Sequence, residues 1–176
     1  SPDDAITTPP VANPDSRFDF LEEVVAGNVT VQALSINNIY GSVSTVLANA
    51  GATKSSGRYV VRITPGSGIL YVGSTVASDV DRATCDENAI IFVDGDLRVR
   101  PHLQKTDTGG CVFIVSGNVL VEQGYQTNTN GDYATPAEYD QVHAMFVVDG
   151  EFRVASDSVA GLKRDAIYIN GSPPVR

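Results

Sequence analysis

The sequence contains no tryptophan, one methionine and two cysteines, and only 8 of its 176 residues are leucine. Leucine is a strong helix former, so its scarcity beside 34 valines and isoleucines argues against a helical bundle and predicts a mostly β protein. No apolar stretch approaches the roughly 20 residues that span a bilayer, so no membrane insertion is expected. Basic residues are few as well, with 12 Lys and Arg against 21 Asp and Glu. This acidic balance argues against nucleic acid as a partner.

The two cysteines leave two interpretations open. Cys85 and Cys111 would close a loop of about 25 residues as a disulfide, which chain entropy converts to about 3 kcal/mol of stability. They would otherwise be two buried thiols that pack as small apolar groups. The sequons Asn28-Val29-Thr30 and Asn170-Gly171-Ser172 also favour secretion. The sequence thus predicts an extracellular or cell-surface location.

The N-terminal part of the chain divides into a tail and a predicted cap. Residues 1–14 hold four of the nine prolines and are interpreted as a flexible linker or tail. Phe18, Leu21 and Val25 then follow helical spacing between a capping Ser16 and a terminating Gly27. Residues 15–80 are therefore assigned to an N-terminal cap region of one short helix plus strands, and residues 81–176 to a repeat region.

Within the cap region, several points stay open. The segment 43–47 fits a strand or a helix equally well. Residues 58–64 and 69–72 both have strand patterns, and the glycines at 66 and 68 between them predict a hairpin. The region as a whole fits a cap, a small separate domain, or strands that join the sheets of the repeats.

The second half carries an internal repeat. Three eleven-residue copies at 89–99, 111–121 and 144–154 match in residue type without a gap, and a shorter fourth copy begins at Ala166. Their glycines, at 95, 117, 150 and 171, are spaced by 22, 33 and 21 residues. A period near 22 in a β-rich chain indicates a solenoid. The predicted fold is all-β: a parallel β-helix (β-solenoid) of about four rungs with an N-terminal capping helix and strands.

Each copy changes character at its glycine. One alternate set of residues is apolar throughout and is predicted to face the interior. The opposite set is apolar before the glycine, as at Phe92, and charged or amide after it, as at Asp96 and Asn118. The glycine suits a bend where the strand passes from one sheet to the next. The doubly apolar first half needs a cover, either the helix around Phe18, which we favour, or another protein.

The repeated hydrophobic-x-Val-Asp-Gly-Asp/Glu-hydrophobic-x-Val pattern, as at 92–99 and 147–154, resembles the glycine-punctuated β-solenoid segments of bacterial cell-surface proteins. The resemblance is strongest to the large surface proteins of small-genome candidate-phylum bacteria and is more distant to bactofilins, which are polymer-forming β-helix proteins. It covers residues 85–175 and implies a structural or adhesive surface role. The irregular spacing departs from the bactofilin pattern.

Carboxylates are the best candidates for chemistry. Asp94 and Asp96 lie two residues apart, hence on one side of a strand, and Asp149 and Glu151 occupy the same positions in the third copy. The main interpretation is a solvated face on which like charges are spaced two strands apart. The alternatives are a calcium site, which would make calcium the one cofactor suggested, and an acid pair for glycoside cleavage.

Other catalytic patterns are missing from the sequence. Gly-x-Ser-x-Gly and phosphate-loop motifs do not occur, and His102 and His143 have no metal-ligand spacing with either cysteine. The prediction is therefore a protein that is not an enzyme.

A 33-residue interval between the second and third glycines contains an insertion, 123–140, rich in Asn, Thr and Gly. Tyr125, Tyr133 and Tyr139 punctuate it, and tyrosine among small polar residues is typical of recognition surfaces. These rings either bind a ligand or pack the loop onto the sheets.

The favoured function is a non-enzymatic extracellular structural or adhesive surface module, which either presents a loop surface or assembles with neighbouring subunits. The alternatives are a carbohydrate-active β-helix hydrolase or lyase, and a carbohydrate- or protein-binding module that uses the 123–140 insertion. A protein or a surface polysaccharide is the expected partner, and a homo-oligomer is compatible with this function.

Overall fold

The computed structural model describes residues 16–73, 83–100, 103–122, 140–154 and 167–170. These residues form fifteen strands and two helices. The strands form three sheets of five, and every pair of neighbouring strands is parallel. The protein is therefore mostly parallel β-sheet, consistent with the predicted all-β, parallel β-helix-like class.

Each sheet takes every third strand of the chain. The order is β1-β4-β7-β10-β13 in sheet A, β2-β5-β8-β11-β14 in sheet B and β3-β6-β9-β12-β15 in sheet C. We use "rung" for three consecutive strands, one from each sheet. The strands are β1 (Gln32–Leu34), β2 (Asn38–Ile39), β3 (Gly41–Ser42), β4 (Tyr59–Ile63), β5 (Ile69–Val72), β6 (Ala83–Cys85), β7 (Asn88–Val93), β8 (Asp96–Val99), β9 (Leu103–Lys105), β10 (Gly110–Val115), β11 (Val119–Val121), β12 (Asp140–His143), β13 (Met145–Val148), β14 (Phe152–Val154) and β15 (Ile167–Asn170).

The first two rungs come from the region assigned to the cap. Strands β1 to β5 lie in the same sheets as the repeats, and β4 pairs with β7 from Tyr59↔Ala89 to Ile63↔Val93. The described strands thus form five rungs where the sequence predicted about four, and the sheets do not divide at residue 80. The hairpin prediction is wrong, because β4 belongs to sheet A and β5 to sheet B. Their glycine-containing connection is a corner between two sheets.

The repeat is confirmed for three copies and wrong for the fourth. In each of the three, the first strand lies in sheet A and the second in sheet B, so the chain changes sheet at the glycine. The fourth copy supplies β15, which pairs with β12 in sheet C. Its apolar alternation suits any inward-facing parallel strand, which is why the pattern alone placed it in the wrong sheet.

The inward-facing side chains of all three sheets form one apolar cluster. Residues in register stack along it, as in the series Val61, Ile91, Phe113 and Phe146 of sheet A. The rings of Phe113 and Phe146 are stacked with centroids 5.7 Å apart. β-branched residues pack well on such pleated surfaces, so the excess of valine and isoleucine is explained by this interior.

Two helices lie outside the sheets. Helix α1 (Arg17–Ala26) begins after the N-cap Ser16 and ends at Gly27, as predicted. Its Phe18 is buried against Phe92 and Ile114 on the outer face of sheet A, so the chain itself supplies the cover expected for that face. Helix α2 (Val43–Asn49) follows the edge strands β1 to β3. It buries Val43 and Leu47 in the interior cluster, which shields the apolar interior at that edge.

Candidate functional site

The corner between sheets A and B is the most regular polar feature of the described residues. The three glycines of the repeat stack there, since the Gly117 N–H donates to the Gly95 carbonyl and the Gly150 N–H to the Gly117 carbonyl, both at 2.9 Å. A Cβ on Gly117 would meet the Asp96 carboxylate and the Gly95 carbonyl oxygen. Glycine is required because the side chain of the rung before passes over it.

The Asp96 and Asn118 side chains, which cross the glycines of the next rung, form a ladder of hydrogen bonds between rungs. The Asp96 Oδ1 accepts from the Asn118 backbone N–H, and the Asn118 Oδ1 accepts from the Glu151 backbone N–H, each at 2.8 Å. The Asp or Asn that follows Gly95 and Gly117 therefore ties each rung to the next. The recurring Gly-Asp/Asn dipeptide is explained by this hydrogen bond.

The four carboxylates proposed for calcium are engaged in separate contacts. Asp94 pairs with Arg62 at 2.7 Å, and Arg62 also contacts Glu22 of α1 at 2.5 Å. The hydrogen bond to Asp94 and the Glu22 charge raise the pKa of Arg62 against the opposing effect of burial. Asp94 follows β7 and Asp149 follows β13, so β10 and its following Ser116 lie between them.

Asp149 acts at the N-terminus of α1. Its carboxylate accepts hydrogen bonds from the Ser16 hydroxyl at 2.6 Å and the Arg17 backbone N–H at 2.7 Å. A carboxylate is favoured there by the unpaired N–H groups and the helix dipole. This contact anchors the helix to the fifth rung.

A second acidic residue repeats this arrangement at α2. The Asp86 carboxylate accepts from the Ser42 hydroxyl at 2.8 Å, the Ser44 N–H at 3.0 Å and the Ser44 hydroxyl. Burial raises the pKa of Asp86, but the hydrogen bonds from Ser44 and Ser42 outweigh it and hold the pKa below its ordinary value. The sequence alone did not connect Asp86 with the start of α2; the signal was an aspartate at a corner together with a Ser-x-Ser helix start.

The residues described here contain no group of three His, Cys, Asp or Glu placed to hold a metal ion. His143 lies on β12, where burial and the charge of Lys105 lower its pKa, and His102 lies outside the described residues. Calcium at the four carboxylates stays a prediction without a coordinating geometry. Tyr125, Tyr133 and Tyr139 of the insertion also lie outside the described residues.

Cys85 and Cys111 form a disulfide with their Cα atoms 5.8 Å apart. It links β6 in the second rung to β10 in the fourth, and both residues are buried. Burial of both sulfurs in the apolar interior gives this bridge a structural role.

The outer face of sheet B holds a groove that the sequence analysis missed. Its volume is about 230 Å³, and Asp96, Asn118 and Glu151 form one side of it and Arg98, Leu120 and Arg153 the other. Arg98, Leu120 and Arg153 lie within β8, β11 and β14. The other set lies two residues earlier in each strand, at its first residue or directly before it. The polar outward residues after each glycine were visible in the sequence, but their alternation could not show that they line a groove.

No family model, no curated protein and no solved structure matches this chain. Neither of the helices in the described part is long and apolar enough to cross a membrane.

Proposed function

We propose that this chain is a parallel β-solenoid that serves as a rigid, non-enzymatic structural or adhesive module at an extracellular surface. The observation that carries the proposal is the strand order, in which each sheet takes every third strand over five rungs. A single strand path wound in that way, with one shared interior, is the design of an elongated scaffold.

The bracing of the module supports this function. The glycine and Asp/Asn ladder joins consecutive rungs, and the disulfide adds a covalent link between β6 of sheet C and β10 of sheet A. A buried disulfide is typical of proteins that fold in an oxidising compartment, which supports the extracellular assignment. Helix α1 is anchored by Asp149 and Arg62, so the apolar outer face of sheet A stays covered.

Brief proteolysis of intact cells of the source organism tests the location. We expect the protein to be cleaved without cell lysis while a cytosolic marker is protected; protection of both would overturn the surface assignment.

Incubation of the purified chain with a polysaccharide panel tests whether the module is non-enzymatic, and we expect no new reducing ends. Turnover that is lost in Asp94→Asn would replace the scaffold with the hydrolase alternative. Light scattering after size-exclusion chromatography gives the subunit number.

A further inference from the structure

The groove on sheet B is formed by two adjacent columns of outward-facing residues. Register places Tyr71, Arg98, Leu120 and Arg153 in one column. Ile69 and Asp96 pair in the other, which continues through Asn118 and Glu151. Neighbouring strands lie about 4.8 Å apart, so four strands present four successive pairs of side chains at that interval.

The chemistry of the groove is balanced. Its two carboxylates, Asp96 and Glu151, are matched by two guanidinium groups, Arg98 and Arg153, in a chain whose net charge is −9. Carboxylates accept hydrogen bonds, guanidinium groups donate them, and the Asn118 amide does both. Leu120 lies between the two arginines in the same column and supplies an apolar contact. A ligand that fits this lining carries many groups that both donate and accept, together with apolar patches.

The polar side chains of the groove already have partners within the protein. The hydrogen bonds to Asn118 N–H and Glu151 N–H orient the Asp96 and Asn118 side chains. The Arg153 Nε donates to Glu151 at 2.6 Å, and Arg98 lies over the Tyr71 ring with 5.9 Å from its Cζ to the ring centroid. Asp96 and Asn118 are the side chains restricted by backbone hydrogen bonds, and a restricted side chain loses less conformational entropy when a ligand binds.

From these features we infer that the sheet B groove binds a linear neutral polysaccharide, with its chain running across the strands so that successive sugars meet successive pairs of side chains. Sugar hydroxyls both donate and accept, and the faces of pyranose rings are apolar. The inference goes beyond the proposed scaffold, because a scaffold needs no ligand on this face. An anionic polymer is disfavoured, because the net charge of the protein opposes it and the groove carries no excess of positive charge.

Calorimetric titration of the full chain with cellohexaose, xylohexaose and mannohexaose tests the inference, with hexagalacturonate as the charged comparator. We expect at least one neutral hexasaccharide to bind and hexagalacturonate to bind more weakly. Arg153→Gln and Arg98→Gln should each weaken that binding about tenfold, because each removes a charged hydrogen-bond donor. Arg58→Gln is the matched control, since Arg58 is exposed and precedes β4 of sheet A. It should leave the affinity unchanged.

Amide chemical shifts report the location of binding. We expect the perturbed backbone amides to include Asp96, Asn118 and Glu151. Three results would overturn the inference: no binding of any neutral hexasaccharide at millimolar concentration, tighter binding of hexagalacturonate, or equal loss of affinity in Arg58→Gln and Arg153→Gln. None of these bears on the location or rigidity of the scaffold, so the two proposals fail separately.

Discussion

Sheets A and B are formed by the two halves of the same repeats, yet their outer faces differ completely. On sheet A, Phe92 and Ile114 are buried beneath helix α1. On sheet B, the equivalent outward positions hold Asp96, Arg98 and Asn118 and line an open groove. The interior faces of both sheets are equally apolar. The interior pattern therefore sets the strand path, whereas the outward residues decide which face is covered and which stays open to solvent.

The largest expected difference between the two faces concerns stability. Phe92 is fully buried and meets Phe18 edge-on with ring centroids 5.6 Å apart, so Phe92→Ala should lower the free energy of unfolding by about 3–5 kcal/mol. Leu120→Ala on sheet B should cost less than about 1 kcal/mol, because its side chain is half-buried beside the groove. Urea unfolding of both variants measures the contrast. Equal losses would mean that the outer faces do not differ energetically.

The shared corner should be the next most sensitive position. Gly117→Ala places a methyl group against the Asp96 carboxylate and the Gly95 carbonyl, so we expect a loss of about 1–3 kcal/mol from crowding and a broken ladder. Gly66→Ala is the control, because Gly66 has no positive φ and only a side chain lies near its Cβ position. Gly51 is less suitable, since its positive φ would strain an alanine whatever the space around it. Gly66→Ala should therefore be tolerated. A Gly117→Ala variant as stable as Gly66→Ala in thermal unfolding would contradict the close stacking.

Loss of the Asp149 contact that anchors helix α1 on sheet A should have a smaller effect on stability. Asp149→Ala removes the acceptor at the N-terminus of α1, and we expect a loss of about 1 kcal/mol with faster hydrogen exchange in that helix. Asp149→Asn keeps an acceptor and should recover part of the loss. Glu23→Ala, an exposed substitution on the same helix, serves as the control. If exchange in α1 is the same in all three variants, Asp149 does not hold the cover in place.

The smallest expected effect is a pH dependence at the second helix. The pKa of Asp86 is held below its ordinary value of 3.8, so the charged form is favoured in the folded state. Its contribution to stability is therefore present above pH 3.8 and is lost as the pH falls through the lower folded pKa. Between pH 6 and pH 2, Asp86→Asn should lose less stability than the unmodified protein. Parallel curves for the two would remove Asp86 as a contributor to acid unfolding.

The sequence predicted the β class, the boundaries of helix α1, the three repeats and the change of sheet at each glycine. These features follow from local rules: alternation defines the inward face, capping residues define the helix, and a missing Cβ defines the corner. It also suggested that the helix covers sheet A, because an apolar outer face needs burial.

The way in which distant segments combine became visible in the tertiary structure. It placed the first two rungs in the common sheets, assigned β15 to sheet C, and showed the corner where a hairpin was predicted. It distributed the four carboxylates among two salt bridges, a helix N-terminus and a ladder, and it opened a groove from residues in three rungs. The register of the three repeats follows their alignment in the sequence, as at Cys111↔Ala89 and Phe113↔Phe146. The segments outside the repeat share no such pattern, so their register is set by packing across the interior.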